Sequence, residues 1–130
     1  MEVLAVFVGG GVGSLTRYFF SIWIGGLWNG TFPLGTFLIN LIGCFLIGFL
    51  GAAAERTTID PNLRLLLQVG FLGGFTTFSS FGLETVQLAR RGEGLLATTN
   101  VLGSNLLGIG FVVVGFLAAK ALWSSLPKIR

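Results

Sequence analysis

The sequence predicts an all-α membrane protein of four transmembrane helices, and three observations carry that expectation. Hydrophobic residues make up 53% of the 130-residue chain and charged residues 10%, where a soluble domain carries roughly 25% charge. Mean hydropathy is +0.89, so a water-soluble fold would expose apolar patches of a size that soluble monomers avoid. Apolar blocks of about 20 residues, the length that crosses a bilayer, recur four times between charges, prolines and Asn/Gly clusters. The same figures exclude a disordered chain, and a lone cysteine, Cys44, excludes a disulfide scaffold. There is no histidine, which removes imidazole metal ligands and histidine acid/base catalysis. The formal charge of +3 comes from eight Lys and Arg scattered in ones and twos, so there is no basic patch for nucleic acid.

The first block runs from Val3 to Ile24, contains Arg17, and ends in the turn-rich stretch Gly25-Gly26-Leu27-Trp28-Asn29-Gly30. Glu2 opens the chain without a basic stretch, and no small-residue cleavage site follows this block, so no cleavable signal peptide is expected. The second starts after Pro33 and runs from Gly35 to Ala54, stopping at Glu55-Arg56. The third opens on Asp60-Pro61, a capping residue followed by the one residue suited to the first helical position, and continues to Ala89 before Arg90-Arg91. The fourth runs from Gly94 to Trp123, with Pro127-Lys128 beyond it.

The third block is longer than one straight span needs, and its centre reads Gly70-Phe71-Leu72-Gly73-Gly74-Phe75-Thr76-Thr77. Paired glycines followed by β-branched hydroxyl residues are poor helix formers. The expectation is a helix broken near mid-membrane, around residues 73–77, which lipid permits only where protein or a polar cavity satisfies the freed backbone. The alternative is a continuous helix that uses its glycines for packing. Gly9, Gly13, Gly43, Gly48, Gly51, Gly103, Gly108, Gly110 and Gly115 in the other blocks are read as packing positions, because small residues let helices approach closely in lipid.

Charge gives little orientation. If the amino terminus, the second loop and the carboxyl terminus share a side, it holds Arg56, Arg64, Lys120, Lys128 and Arg130, against Arg90 and Arg91 opposite, with Arg17 assignable to neither. Four helices enclose little space, so a dimer is the natural way to build a pathway.

Polar groups inside a span are costly unless paired, and by default they mark function. Asn40 lies within the second block with Thr36 one turn earlier on the same face; its amide either glues two helices or donates to a ligand. Phe78 and Phe81, three residues apart, share a helix face. They are either lipid-facing bulk or ring edges whose positive quadrupole meets a small anion, and the hydroxyls of Thr76, Thr77, Ser79 and Ser80 crowd beside them. A helix break supplies further ion chemistry: free N–H groups on the second half favour anions, and carbonyls closing the first half can hold Na⁺. Arg17 either draws anions into an entrance or snorkels to the interface. Glu84 is either an arginine's surface partner or a proton carrier.

Three stretches carry a family resemblance: Gly9-Gly10-Gly11-Val12-Gly13-Ser14-Leu15-Thr16-Arg17-Tyr18, Gly35-Thr36-Phe37-Leu38-Ile39-Asn40-Leu41-Ile42-Gly43, and, most specifically, the run from Gly70 through Thr76-Thr77-Phe78-Ser79-Ser80-Phe81. Over essentially its whole length the chain resembles the CrcB/Fluc family of fluoride channels. The resemblance implies an antiparallel, dual-topology homodimer of four-helix subunits, with two fluoride pores and a structural Na⁺ at the dimer interface. It implies that backbone carbonyls of Gly73 and Thr76 hold the Na⁺. It assigns Asn40, Phe78, Phe81, Thr36, Ser79 and Ser80 to the fluoride pathway and Arg17 to a vestibule. The expected partners are fluoride, a second copy of the chain and membrane lipid, with no nucleic acid and no enzymatic step. The expected location is the inner or plasma membrane, where passive fluoride export protects the cell. On the fourth helix Ser104 or Asn105 would supply part of a polar track, while Ile109 stands where a serine is expected.

Two rivals belong to other classes. A non-transporting assembly subunit would use Asn40 and the glycines only for packing, and would pass no ions in liposomes. A small-multidrug-type proton-coupled exporter needs a membrane-embedded carboxylate, for which Glu84 is the only candidate. The exporter predicts that Glu84→Gln abolishes all transport while Phe78→Ile leaves it intact; the channel predicts that Phe78→Ile is damaging, and vesicle flux assays on the two variants separate them.

Overall fold

In hydrocarbon a backbone has no water to bond, so each apolar block closes its own hydrogen bonds as helix. The fold is given by a computed structural model that describes residues 1–125. It is all-helical, with four helical stretches long and apolar enough to cross a membrane. α1 (Glu2–Leu27), α2 (Leu34–Arg56) and α6 (Gly94–Ser125) are continuous. The third stretch is composite: α3 (Pro61–Arg64), a π-helix (Leu65–Phe71), α4 (Leu72–Phe75), two extended residues, and α5 (Phe78–Arg90). The Pro127-Lys128 stop and the charge on Arg130 lie outside the described residues.

α1 runs three residues into the expected turn, through Gly25 and Gly26, and the Trp28 N–H still reaches the Ile24 carbonyl. The reason is physical: glycine costs a helix at most about 1 kcal/mol, less than an unpaired peptide group at the membrane boundary. The loop then closes through the Trp28 indole, which donates to the Phe32 carbonyl at 2.9 Å. At that end of the molecule Thr31 also donates to Glu93 at 2.6 Å, tying the α1–α2 loop to the α5–α6 turn, where Gly92 has φ +80°. Asp60 caps α3, its carboxylate accepting from the Asn62 and Leu63 N–H groups, with Pro61 at the first helical position.

Packing follows two pairs, α2 along α6, and α1 against the π-helix and α4. Both depend on glycine, because a methyl at the contact would strike backbone. A Cβ at Gly9 would meet the Leu66 carbonyl and one at Gly13 the Phe71 carbonyl; opposite them, a Cβ at Gly70 would lie 2.9 Å from the Gly9 Cα. In the other pair Gly48 faces the Val112 carbonyl and Gly115 the Phe45 carbonyl. Gly51 and Gly110, read from sequence as packing positions, have open space around them within one chain. The π-helix, in which the Leu72 N–H reaches back to the Leu67 carbonyl, was not foreseen; such turns admit one extra residue and are frequent at functional sites.

The two glycine classes should respond oppositely to alanine. Gly48→Ala is expected to destabilise the protein by about 1 to 3 kcal/mol through overpacking, whereas Gly25→Ala, with nothing near it, should be neutral or stabilising by up to about 1 kcal/mol. Unfolding in mixed micelles measures both, and equal effects would refute this account of the α2–α6 contact.

Candidate functional site

The site is organised by the interruption at Thr76 and Thr77, whose backbones are extended (φ −79°, ψ 158° and φ −150°, ψ 119°). In an unbroken helix the Thr77 N–H would bond the Gly73 carbonyl. Here it donates to Asn40 Oδ1 at 2.9 Å, and Asn40 Nδ2 donates to the Thr77 carbonyl at 3.0 Å. The Asn40 side chain thus stands in for a neighbouring peptide, satisfying both groups of the residue that left the helix. Thr76 is secured differently: its hydroxyl and its N–H both donate to the Leu72 carbonyl, at 2.8 and 3.0 Å.

Each half-helix end then has unpaired groups. Thr77, buried at 8% exposure, caps α5 by accepting from the Ser80 N–H at 3.2 Å, so the first N–H groups of α5 have no carbonyl from α4. Symmetrically, the carbonyls of α4 and of the Thr76 that follows it, Gly73 among them, receive no N–H from α5. Gly73 is exposed, with open space where a side chain would be.

Beside the interruption lies an open-sided cavity of about 400 Å³, mostly apolar-walled. Asn40, Gly73, Thr76, Thr77, Phe78 and Phe81 all line it. Phe78 is 82% exposed and its ring centroid lies 5.4 Å from that of Phe81, tilted by 42°. From α6, Ser104 and Asn105 reach the same wall; Ile109 does not, and is exposed.

Other residues singled out from sequence fall elsewhere. Ser79 and Ser80 are not on the cavity wall; their hydroxyls gather on Thr77 Oγ1 at 3.3 and 3.1 Å. Thr36 donates its hydroxyl proton to Glu84 Oε1 at 2.8 Å. Glu84 is therefore the partner of a threonine, not of an arginine, and its Oε2 is buried without a hydrogen-bond partner among the described residues. Arg17 is half-buried on α1, one turn beyond Gly13, and does not line the cavity.

Sequence reasoning named Ser104 for a polar track on the fourth helix but passed over the polar chain to which it belongs. Thr85 donates to the Phe81 carbonyl at 2.7 Å and accepts from Asn100 Nδ2 at 2.9 Å, and Ser104 reaches Asn100 Oδ1 at 3.4 Å. Asn100 is 1% exposed, so this chain joins α5 to α6 deep in the protein. Its signal was available: Asn100 and Ser104 are one turn apart in an otherwise apolar block. Gln68, an amide of the third stretch two residues before Gly70, was missed as well, and it lines the cavity.

Four apolar helical stretches, with an amide and several hydroxyls meeting at an interruption of the third, define a multi-pass membrane protein. The family profile described as CrcB-like protein, Camphor Resistance (CrcB), matches residues 4–116, and the chain belongs to that family. It is 51% identical over 116 residues, 88% of this chain and 94% of the other, to a protein of Hydrogenobaculum sp. (strain Y04AAS1) named fluoride-specific ion channel FluC. Proteins of the same name from Helicobacter pylori (strain J99) and Geotalea uraniireducens (strain Rf4) are 45% and 44% identical, over 87% and 92% of this chain and 88% and 98% of their own length.

Asn40→Ala leaves both Thr77 backbone groups without partners, an expected loss of about 1 to 3 kcal/mol. A variant within about 0.5 kcal/mol of the parent, the range of an ordinary surface substitution, would show that Asn40 does not hold the interruption. Unfolding by denaturing detergent at matched lipid content gives the number.

Proposed function

We propose that this chain is a fluoride-selective channel of the plasma membrane that lets cytoplasmic fluoride leave down its gradient. The observation that carries the reading is the meeting, in one open-sided cavity, of two phenyl rings and the Asn40 amide beside an interrupted helix, in a chain about half identical to a fluoride-specific channel. Its relatives are channels, which leaves the exporter reading of Glu84 without support.

Fluoride is small and strongly hydrated, so a path must replace its water with donors while being too weak to trap it and too narrow for larger halides. Asn40 uses one amide hydrogen on the Thr77 carbonyl and keeps the second for the ion. Phe78 and Phe81 offer ring edges, which attract an anion without the full charge that would hold it. The unpaired N–H groups at the start of α5 add a positive end to the same locus. Ser79 and Ser80 act from behind Thr77, where their hydroxyls can rotate. Thr36 has a single hydroxyl proton, taken by Glu84, so it serves fluoride only when that carboxylate releases it. Arg17 acts at a distance, as an electrostatic lure in a vestibule.

The reading includes an antiparallel dual-topology homodimer, with the interruption at mid-membrane and the open side of the cavity closed by the second copy. The few Lys and Arg, scattered in ones and twos, give only a weak orientation preference, which is compatible with insertion both ways. The residues also fit a Na⁺ ion, since the carbonyls of Gly73 and Thr76 are hard oxygen acceptors without backbone partners and Gly73 has no side chain to bar approach. Held between carbonyls of both copies, Na⁺ would supply positive charge against their converging dipoles and tie the two interruptions together.

Purified protein in liposomes, followed by fluoride and chloride electrodes side by side, should release fluoride with negligible chloride. Asn40→Asp or Phe78→Ile should cut fluoride efflux about tenfold or more, since one hydrogen bond to an ion is worth about 1.5 to 3 kcal/mol. Undiminished efflux in either variant overturns the site assignment.

A further inference from the structure

A second cavity, of about 380 Å³, lies at the turn from α2 into α3 and is lined by Glu55, Arg56, Thr57, Thr58 and Arg64 among others. Unlike the central cavity its walls are mainly polar. Two arginines enter from different elements, Arg56 as the last residue of α2 and Arg64 as the last of α3. Asp60, on the same turn, is not on the wall, and its Oδ1 accepts from the Asn62 and Leu63 N–H groups. Arg64 is oriented by its own helix: Nε donates to Gln68 Oε1 at 3.1 Å, which leaves its terminal nitrogens without hydrogen-bond partners among the described residues. Thr57 donates to the Ala53 carbonyl, while the Thr58 hydroxyl has no partner among the described residues. With Glu55 as the one acid on the wall, the cup carries a net single positive charge.

Arg56 closes one membrane-crossing stretch and Arg64 lies in the first turn of the next, positions that face a lipid headgroup region when the stretches span a bilayer, and their planar forks match phosphate oxygens. The volume is far larger than a halide needs. The charge balance favours a monoanion over a dianion, as Glu55 repels the second charge. We infer that this cup is a binding site for a phosphate-bearing monoanion, the phosphodiester of an anionic lipid headgroup or free phosphate. The assignment does not depend on which ion the central cavity conducts.

The test uses the full chain purified in neutral detergent and offered equal amounts of phosphatidylglycerol and phosphatidylcholine, with bound lipid read by native mass spectrometry. Phosphatidylglycerol should be retained in preference, and R56Q/R64Q should reduce the preference by roughly fivefold for each arginine lost. R90Q/R91Q removes the same charge from the other end of the spans and should leave the preference unchanged; circular dichroism confirms that both variants keep their helices. A parallel arm follows the unfolding temperature in inorganic phosphate: a rise abolished by R56Q/R64Q assigns the cup to free phosphate, and lipid preference without that rise assigns it to the headgroup. The proposal is overturned if neither ligand is favoured, or if R90Q/R91Q costs as much as R56Q/R64Q.

Discussion

The structure depends on one constraint, that a peptide group taken out of a helix inside an apolar protein must find another partner. Thr77 has left the helix, and the Asn40 side chain answers with one donor and one acceptor at 3.0 and 2.9 Å. Each of the other features of the locus follows from that exchange. Because Asn40 takes the Thr77 N–H, the Gly73 carbonyl loses its helical partner; because the chain restarts at Phe78, α5 begins with unpaired N–H groups. A polar locus with opposite characters at its two ends is thereby made from backbone, with few charged side chains near it.

Glycine contacts decide where that locus sits. Gly9 and Gly13 bring α1 onto the π-helix and α4 at backbone distance, and Gly48 and Gly115 do the same for α2 and α6. α2 is thus placed by its contact with α6, and it carries Asn40 to the break. A Cβ at Gly43, one turn after Asn40, would run into the Thr76 side chain, so the approach of α2 to the interruption also needs a missing side chain. Packing that is merely permissive in one segment becomes, three residues away, the reason a hydrogen bond can form.

The polar network has a division of labour that residue type alone does not reveal. Asn40 and Asn100 are both amides within spans, yet Asn40 pairs with backbone beside an open-sided cavity while Asn100, buried at 1% exposure, joins Thr85 and Ser104. Thr36 and Glu84 pair with each other, and Ser79 and Ser80 turn toward Thr77. Ser79 and Ser80 thus bond a residue that lines the cavity, and Thr36 bonds one that does not.

Four apolar helical stretches and the oddity of an amide, Asn40, inside a span were legible from composition and spacing, because lipid solvation acts on each residue separately and leaves its mark in one dimension. Phe78 and Phe81 were legible only as a pair on one helix face, and a family resemblance was needed to assign them to a pathway. The continuation of α1 through Gly25 and Gly26, the π-turn around Gln68, the pairing of Glu84 with Thr36 and the Thr85–Asn100–Ser104 chain were not legible. Each of these depends on which partner a polar atom meets across a helix contact, or on whether a peptide group has an alternative to helix, and such choices are made only when helices are brought within hydrogen-bond distance. By itself the sequence determined where the chain must be helical and which residues lipid would not tolerate alone. Only the tertiary structure decided which of them satisfy each other and which retain a donor for something else, because a hydrogen bond is directional and short while hydrophobicity is neither.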